Sequence, residues 1–166
     1  MFKINFKKVL LNFILILLIF LADRISKIYI LNLVELNNEV DIYITPYLNL
    51  YLIWNKGIAF GFLSFNDSLI YNIITLVISL ISLVLIIMII KTSGFVKYSL
   101  MLVFGGSIGN LFDRIYYSAV PDFIDLHLNN FHWFIFNVAD IFITIGIICL
   151  IYAEIFFNKE KNEKKL

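Results

Sequence analysis

Between Ser68 and Ile90 the chain carries no charged residue, and this run limits its possible folds more than any other feature. As an α-helix rising about 1.5 Å per residue, it exceeds the roughly 30 Å hydrocarbon core of a bilayer. In hydrocarbon the backbone has no water to bond with, so such a segment must satisfy its own N–H and C=O groups as a helix. Three further stretches qualify or nearly qualify as spans: about 9–30, 98–115 and 136–157. Composition agrees, with 61% apolar and only 15% charged residues, where soluble domains run near 45–50% and about 25%. Seventeen Phe and nine Tyr exclude a disordered chain. A net charge of +1 offers no footprint for nucleic acid. The single Cys149 excludes an internal disulfide or a multi-cysteine metal site. The expectation is a membrane all-α protein, a four-transmembrane-helix bundle in one domain over 1–166.

Orientation follows from the basic residues. Lys3, Lys7 and Lys8 precede span one, Lys91 and Lys97 flank the short loop after span two, and Lys159, Lys161, Lys164 and Lys165 form the tail. These are most of the 13 basic residues, and they share one side, which the positive-inside rule assigns to the cytoplasm. Most acids lie on the other side. Both termini are therefore expected to be cytoplasmic. A basic start before an apolar run also describes a secretory signal, but Asp23-Arg24-Ile25-Ser26-Lys27 follows instead of a small-residue cleavage site. Span one is read as retained.

On the outer side, residues 31–67 are long enough to fold. Val40, Ile42 and Ile44 alternate with Asp41, Tyr43 and Thr45, and Tyr47–Trp54 is aromatic and β-rich. This predicts a small extracytoplasmic antiparallel sheet at the interface, over about 40–62. Asn66, Asp67 or Ser68 can cap span two.

Polar groups at membrane depth are costly and point to function. Here they gather at the outer ends of spans one, three and four. Asp23 and Lys27 are four apart and share a helix face; Asn110, Asp113 and Arg114 can face inward together; Asn137 and Asp140 are three apart. Asn55-Lys56-Gly57-Ile58-Ala59-Phe60-Gly61 adds an asparagine in a turn that its glycines permit. Gly105, Gly106 and Gly109 let span three approach its neighbours. Much of this has a plain structural reading. Asp23–Lys27 and Asp113–Arg114 are expected as ion pairs fixing helix ends, and Cys149 as core. His127 and His132, in an outer loop without i, i+4 spacing, argue against a metal site.

Asp122 and Asp140 resist that reading, since neither has a base close by in sequence. Two carboxyls sharing a poorly solvated place cannot both ionise and hold one proton between them. Such a pair supplies a base for water and an acid for the amide oxygen. The loop between them is long enough for them to meet and too long to force it. A Ser26–Lys27 nucleophile is discounted, because adjacent helical side chains diverge by about 100°. A proton- or cation-coupled transporter is the rival reading; it predicts midplane acids and internal symmetry, which this chain lacks. A structural membrane subunit leaves the polar cluster unexplained.

Five blocks then carry a resemblance over nearly the whole chain: Asp23-x-x-Ser26-Lys27; Asn55-x-Gly57-x-Ala59-Phe60-Gly61; Gly105-Gly106-x-x-Gly109-Asn110-x-x-Asp113-Arg114; Val120-x-Asp122-Phe123; and Phe136-Asn137-x-Ala139-Asp140. The sequence resembles the lipoprotein signal peptidases (signal peptidase II). The resemblance implies an intramembrane aspartyl endopeptidase of the bacterial cytoplasmic membrane, without cofactor or metal, acting near the outer face. It would cut prolipoproteins just before the diacylglyceryl-modified Cys. Asp122 and Asp140 match the family's catalytic pair. Asn55, Gly57, Asn110, Arg114 and Asn137 match pocket positions that bind substrate or globomycin-type inhibitors, while Asp23, Lys27 and Asp113 match supporting positions. Membrane lipids are implied partners. Ile58, where many members have a small residue, and Pro121, which removes an N–H before Asp122, are the departures.

Overall fold

The computed structural model describes residues 6–57, 68–129 and 131–163, apart from the side chains of Ser68, Trp133 and 157–163. Four helices, α1 (Phe6–Asn37), α2 (Ser68–Lys91), α3 (Gly94–Tyr117) and α4 (Val138–Glu163), are each long and apolar enough to cross a membrane. The strands β1 (Asp41–Thr45), β2 (Leu48–Asn55), β3 (Val120–Leu128) and β4 (Phe131–Phe136) form one antiparallel sheet in that order.

Helix lengths follow the apolar runs, and their ends follow local chemistry. α1 continues beyond Ile30 to Asn37, and Asn38 then turns the chain at φ 65°, a left-handed end that asparagine tolerates. α3 starts before Tyr98 and ends at Ser118, φ 56°. Polar side chains within α2 bond back to its own carbonyls: Thr75 to Tyr71, Ser79 to Thr75 and Ser82 to Ile78. This removes their cost in hydrocarbon. The outward faces, such as Leu76, Leu80, Leu83, Ile87 and Ile90 of α2, are exposed, as lipid-facing surfaces should be.

The sheet corrects the expected layout. Residues 40–55 supply only β1 and β2; the other half comes from 120–136, where the sequence predicts an outer loop. Asp122 and Asp125 interrupt β3, and aspartate is depleted in strands, so propensity argued against it. The strand forms because its first half is buried between partners. Leu50 pairs with Ile124 on one side, and Ile124 with Phe136 on the other. Phe136 accordingly ends β4 instead of starting span four. The far end of the expected β segment, its turn glycine Gly61 and the proposed caps Asn66 and Asp67 lie outside the described residues.

Two apolar clusters hold the parts together. Leu85, Ile89, Leu100 and Met101 pack with Leu15, Ile16 and Leu150 inside the bundle. Ile30, Val40 and Phe123 pack with Val34, Leu50 and Val138, joining α1 to the sheet and to the start of α4. Close helix contact depends on missing side chains. A Cβ on Gly106 would lie 2.5 Å from the Ala139 carbonyl oxygen, and one on Gly109 would lie 2.6 Å from Asp23 Oδ2. The Ala139 carbonyl belongs to helix backbone and cannot yield locally. Gly106→Ala should therefore lower thermal stability in detergent by the roughly 1–3 kcal/mol typical of overpacking. It should also reduce turnover, because Asn110 lies one turn further on.

Candidate active site

The polar residues of α1, α3 and α4 meet in one buried network. Lys27, 1% exposed, lies 2.8 Å from Asp23 and 2.6 Å from Asp113 and donates to Asn110 Oδ1 at 2.9 Å. Arg24 adds contacts to Asp23 at 2.9 Å and Asp113 at 2.5 Å. Two cations thus face two anions, which is what makes so much buried charge tolerable. Asp23 also accepts the Ala139 N–H at 3.1 Å, satisfying a first-turn donor of α4 that has no partner within its own helix.

The expected Asp113–Arg114 pair does not form. The two residues are adjacent on a helix and diverge; Asp113 turns to Arg24 and Lys27, while Arg114 donates to the Gly57 carbonyl. The Arg114 guanidinium also lies 5.7 Å from the centre of the Tyr71 ring, and the Tyr71 hydroxyl donates to the Arg114 carbonyl at 2.9 Å. Sequence reasoning missed Arg24 and Tyr71. Arg24 had a signal, a second cation beside Asp23 at membrane depth; Tyr71 had none.

Above this base stand Asp122 and Asp140, which tertiary structure brings together. Asn137 connects them. It precedes α4 and accepts the Asp140 N–H on Oδ1 at 3.2 Å, while its own N–H donates to Asp140 Oδ2 at 3.1 Å. This is the reciprocal geometry of a capping box, with N-cap and third residue exchanging bonds. The Asn137 Nδ2 then donates to Asp122 Oδ1 at 2.6 Å. Asn55, at the end of β2, donates to Asp122 Oδ2 at 2.8 Å while its Oδ1 accepts the Gly57 N–H at 2.8 Å. Asn110 donates to Asp140 Oδ1 at 2.8 Å. Each asparagine is oriented by a second bond, so its amide can point only one way at a carboxylate. Burial, and next the charge of Asp140, push the Asp122 carboxyl up to about 7, against hydrogen bonds from Asn55 and Asn137 that oppose the shift.

Every residue singled out as catalytic, pocket-lining or supporting lies in this network. An apolar groove of about 280 Å³, lined by Phe134, Phe136, Asp140, Ile141, Thr144 and Ile145, reaches Asp140 along the flank of α4. His127 and His132 also meet, against the spacing argument. That argument applies to helices, and these residues face each other across β3 and β4.

The family model described as Signal peptidase (SPase) II matches residues 15–156. The chain belongs to the signal peptidase II family. A lipoprotein signal peptidase of Pelagibacter ubique (strain HTCC1062) is 57% identical over 163 residues, covering 98% of each chain. One from Francisella tularensis subsp. novicida (strain U112) is 42% identical, covering 89% of this chain and 93% of that one. A bacterial membrane enzyme solved by the in meso method at 2.3 Å resolution shares the fold, with TM-score 0.70, 24% identity and 90% of each chain covered. Signal peptidase II membership makes the chain a protease, and its four helices make it a multi-pass membrane protein.

Proposed function

We propose that the chain is an aspartyl endopeptidase that removes signal peptides from diacylglyceryl-modified bacterial prolipoproteins, cutting just before the lipidated Cys. One observation carries the aspartyl assignment: a single residue, Asn137, bonds both buried carboxyls at once. Water held between Asp122 and Asp140 attacks the scissile carbonyl. The ionised carboxyl takes its proton, and the protonated one donates to the carbonyl oxygen as the tetrahedral centre forms. No covalent intermediate is required. The groove beside Asp140 suits a signal helix entering sideways from the bilayer, with the acyl chains left in lipid.

Arg114 supports the substrate-binding assignment. Its Nε and Nη1 are buried and have no hydrogen-bond partner among the described residues, so two donors remain for substrate carbonyls. Asn55, Gly57, Asn110 and Asn137 line the same place, while Asp23, Lys27 and Asp113 support it. Globomycin-type inhibitors would occupy this pocket. The Lys-rich side faces the cytoplasm, with both termini, and the dyad lies at the outer face of the cytoplasmic membrane, where water reaches it.

The test is cleavage of a diacylglyceryl-modified prolipoprotein by purified protein in detergent, followed by size shift, with globomycin as a second arm. A folded wild type that leaves the substrate intact would refute the reading. The pH profile supplies a further expectation. Asp122 keeps its proton to about 7, so the singly protonated pair persists at neutral pH. Above that it loses the acid, and kcat/KM should fall about tenfold per pH unit. A profile flat to pH 9 would contradict a shared-proton dyad.

A further inference from the structure

A second polar cluster lies away from the dyad, on the strands that carry it. Asp125 is 2% exposed. Its Oδ2 lies 2.8 Å from His132 Nδ1 and 3.7 Å from His127 Nδ1. His127 and His132 are register partners on β3 and β4, and their rings stack at 5.2 Å. One ligand atom from each of the three residues lies within 4.8 Å of the others. Three buried atoms here have no hydrogen-bond partner among the described residues: Asp125 Oδ1, His127 Nδ1 and Asn49 Oδ1. Asn49 is the register partner of Asp125 on β2. A cavity of about 330 Å³, lined by Asp41, Asn49, Tyr51, Asp125, His132 and Ile135, adjoins them.

We propose that Asp125, His127 and His132 bind one divalent first-row transition-metal ion, with Asn49 beside it and the remaining coordination position open to the cavity. The unpartnered carboxylate oxygen and carbonyl oxygen have only lone pairs to offer, and His127 Nδ1 offers one in the matching tautomer. A cation satisfies them together and also neutralises a carboxylate that burial otherwise penalises. Two imidazoles and one carboxylate select zinc, copper, nickel or iron over magnesium and calcium, which take oxygen ligands. Zinc holds nitrogen and carboxylate oxygen ligands at about 2.0–2.2 Å, so the hydrogen bond between His132 and Asp125 would give way to two bonds to the ion. The ion would tie β3 to β4. Asp122 lies three residues before Asp125 on β3, and Asn137 directly follows β4, so the clamp acts on the two strands that aim the dyad.

The test uses the full chain in detergent, free of any histidine tag, with Zn²⁺ in competition against a chromophoric chelator. Wild type should take up one ion per chain. His132→Ala, a change at a half-exposed side chain, should weaken binding by more than the roughly 10–100-fold typical of losing an outer-shell partner. Asp125→Asn should do the same, and Asp122→Asn, outside the cluster, should bind as wild type does. Co²⁺ should give visible absorption with wild type that His132→Ala loses. Wild type without stoichiometric uptake, or His132→Ala binding like wild type, would overturn the site. Neither result depends on peptidase activity.

Discussion

Asp122→Asn and Asp140→Asn should each remove prolipoprotein cleavage while leaving a folded, detergent-stable protein. The loss should be at least the roughly 10²–10⁴-fold that one positioned acid or base contributes. In the proposed mechanism the two carboxyls act as one unit on one proton and one water, so the double variant should be little worse than either single. The expectation rests on how they are held. Asp122 is fixed by Asn55 and Asn137, and Asp140 by Asn110 and the Asn137 N–H. An asparagine at either place keeps the shape but can neither take nor give the proton. The measurement is single-turnover cleavage of a lipid-modified substrate, with thermal unfolding as a fold control. Turnover within tenfold of wild type by either variant would show that the pair is not the catalyst.

Lys27→Met should have the largest structural effect. The ammonium is fully buried and touches Asp23, Asp113 and Asn110. Removing it leaves Arg24 alone between two buried carboxylates, and breaking a buried ionic group in this way costs about 3–5 kcal/mol. The yield of folded protein and its unfolding temperature should both fall sharply. Any folded fraction should also turn over more slowly, since Asn110 loses the bond that aims its amide at Asp140. A Lys27→Met protein unfolding at the wild-type temperature would mean that the network contributes little to stability. The contrast with the dyad variants is the useful part. Two buried-charge changes at similar depth should separate, one affecting chemistry and the other folding.

The four spans were legible because hydrocarbon allows few solutions. An uncharged run such as Ser68–Ile90 can only be a helix. The polar residues at one depth marked the candidate site for the same reason, since a membrane rarely tolerates Asp, Asn and Arg without a use for them. The capping relation of Asn137 and Asp140 was implicit in their spacing of three. These are local or solvent-imposed facts, and they survive in a linear sequence.

Other features depended on long-range pairing. β3 exists because Leu50 and Phe136 flank Ile124 from positions distant in the chain, while its own aspartates disfavour a strand. Only that pairing puts Asp122 beside Asn137 and brings His127 opposite His132. Partner choice within the charge cluster was also a tertiary decision. Asp113 takes Arg24 and Lys27 across the α1–α3 contact, and Arg114, its sequence neighbour, points instead to Gly57. By itself, then, the sequence determined which residues must lie inside the bilayer and which could not rest there idle. Which of them touch was decided by packing, because side-chain contacts across helices and strands depend on direction and register that spacing along one chain does not contain.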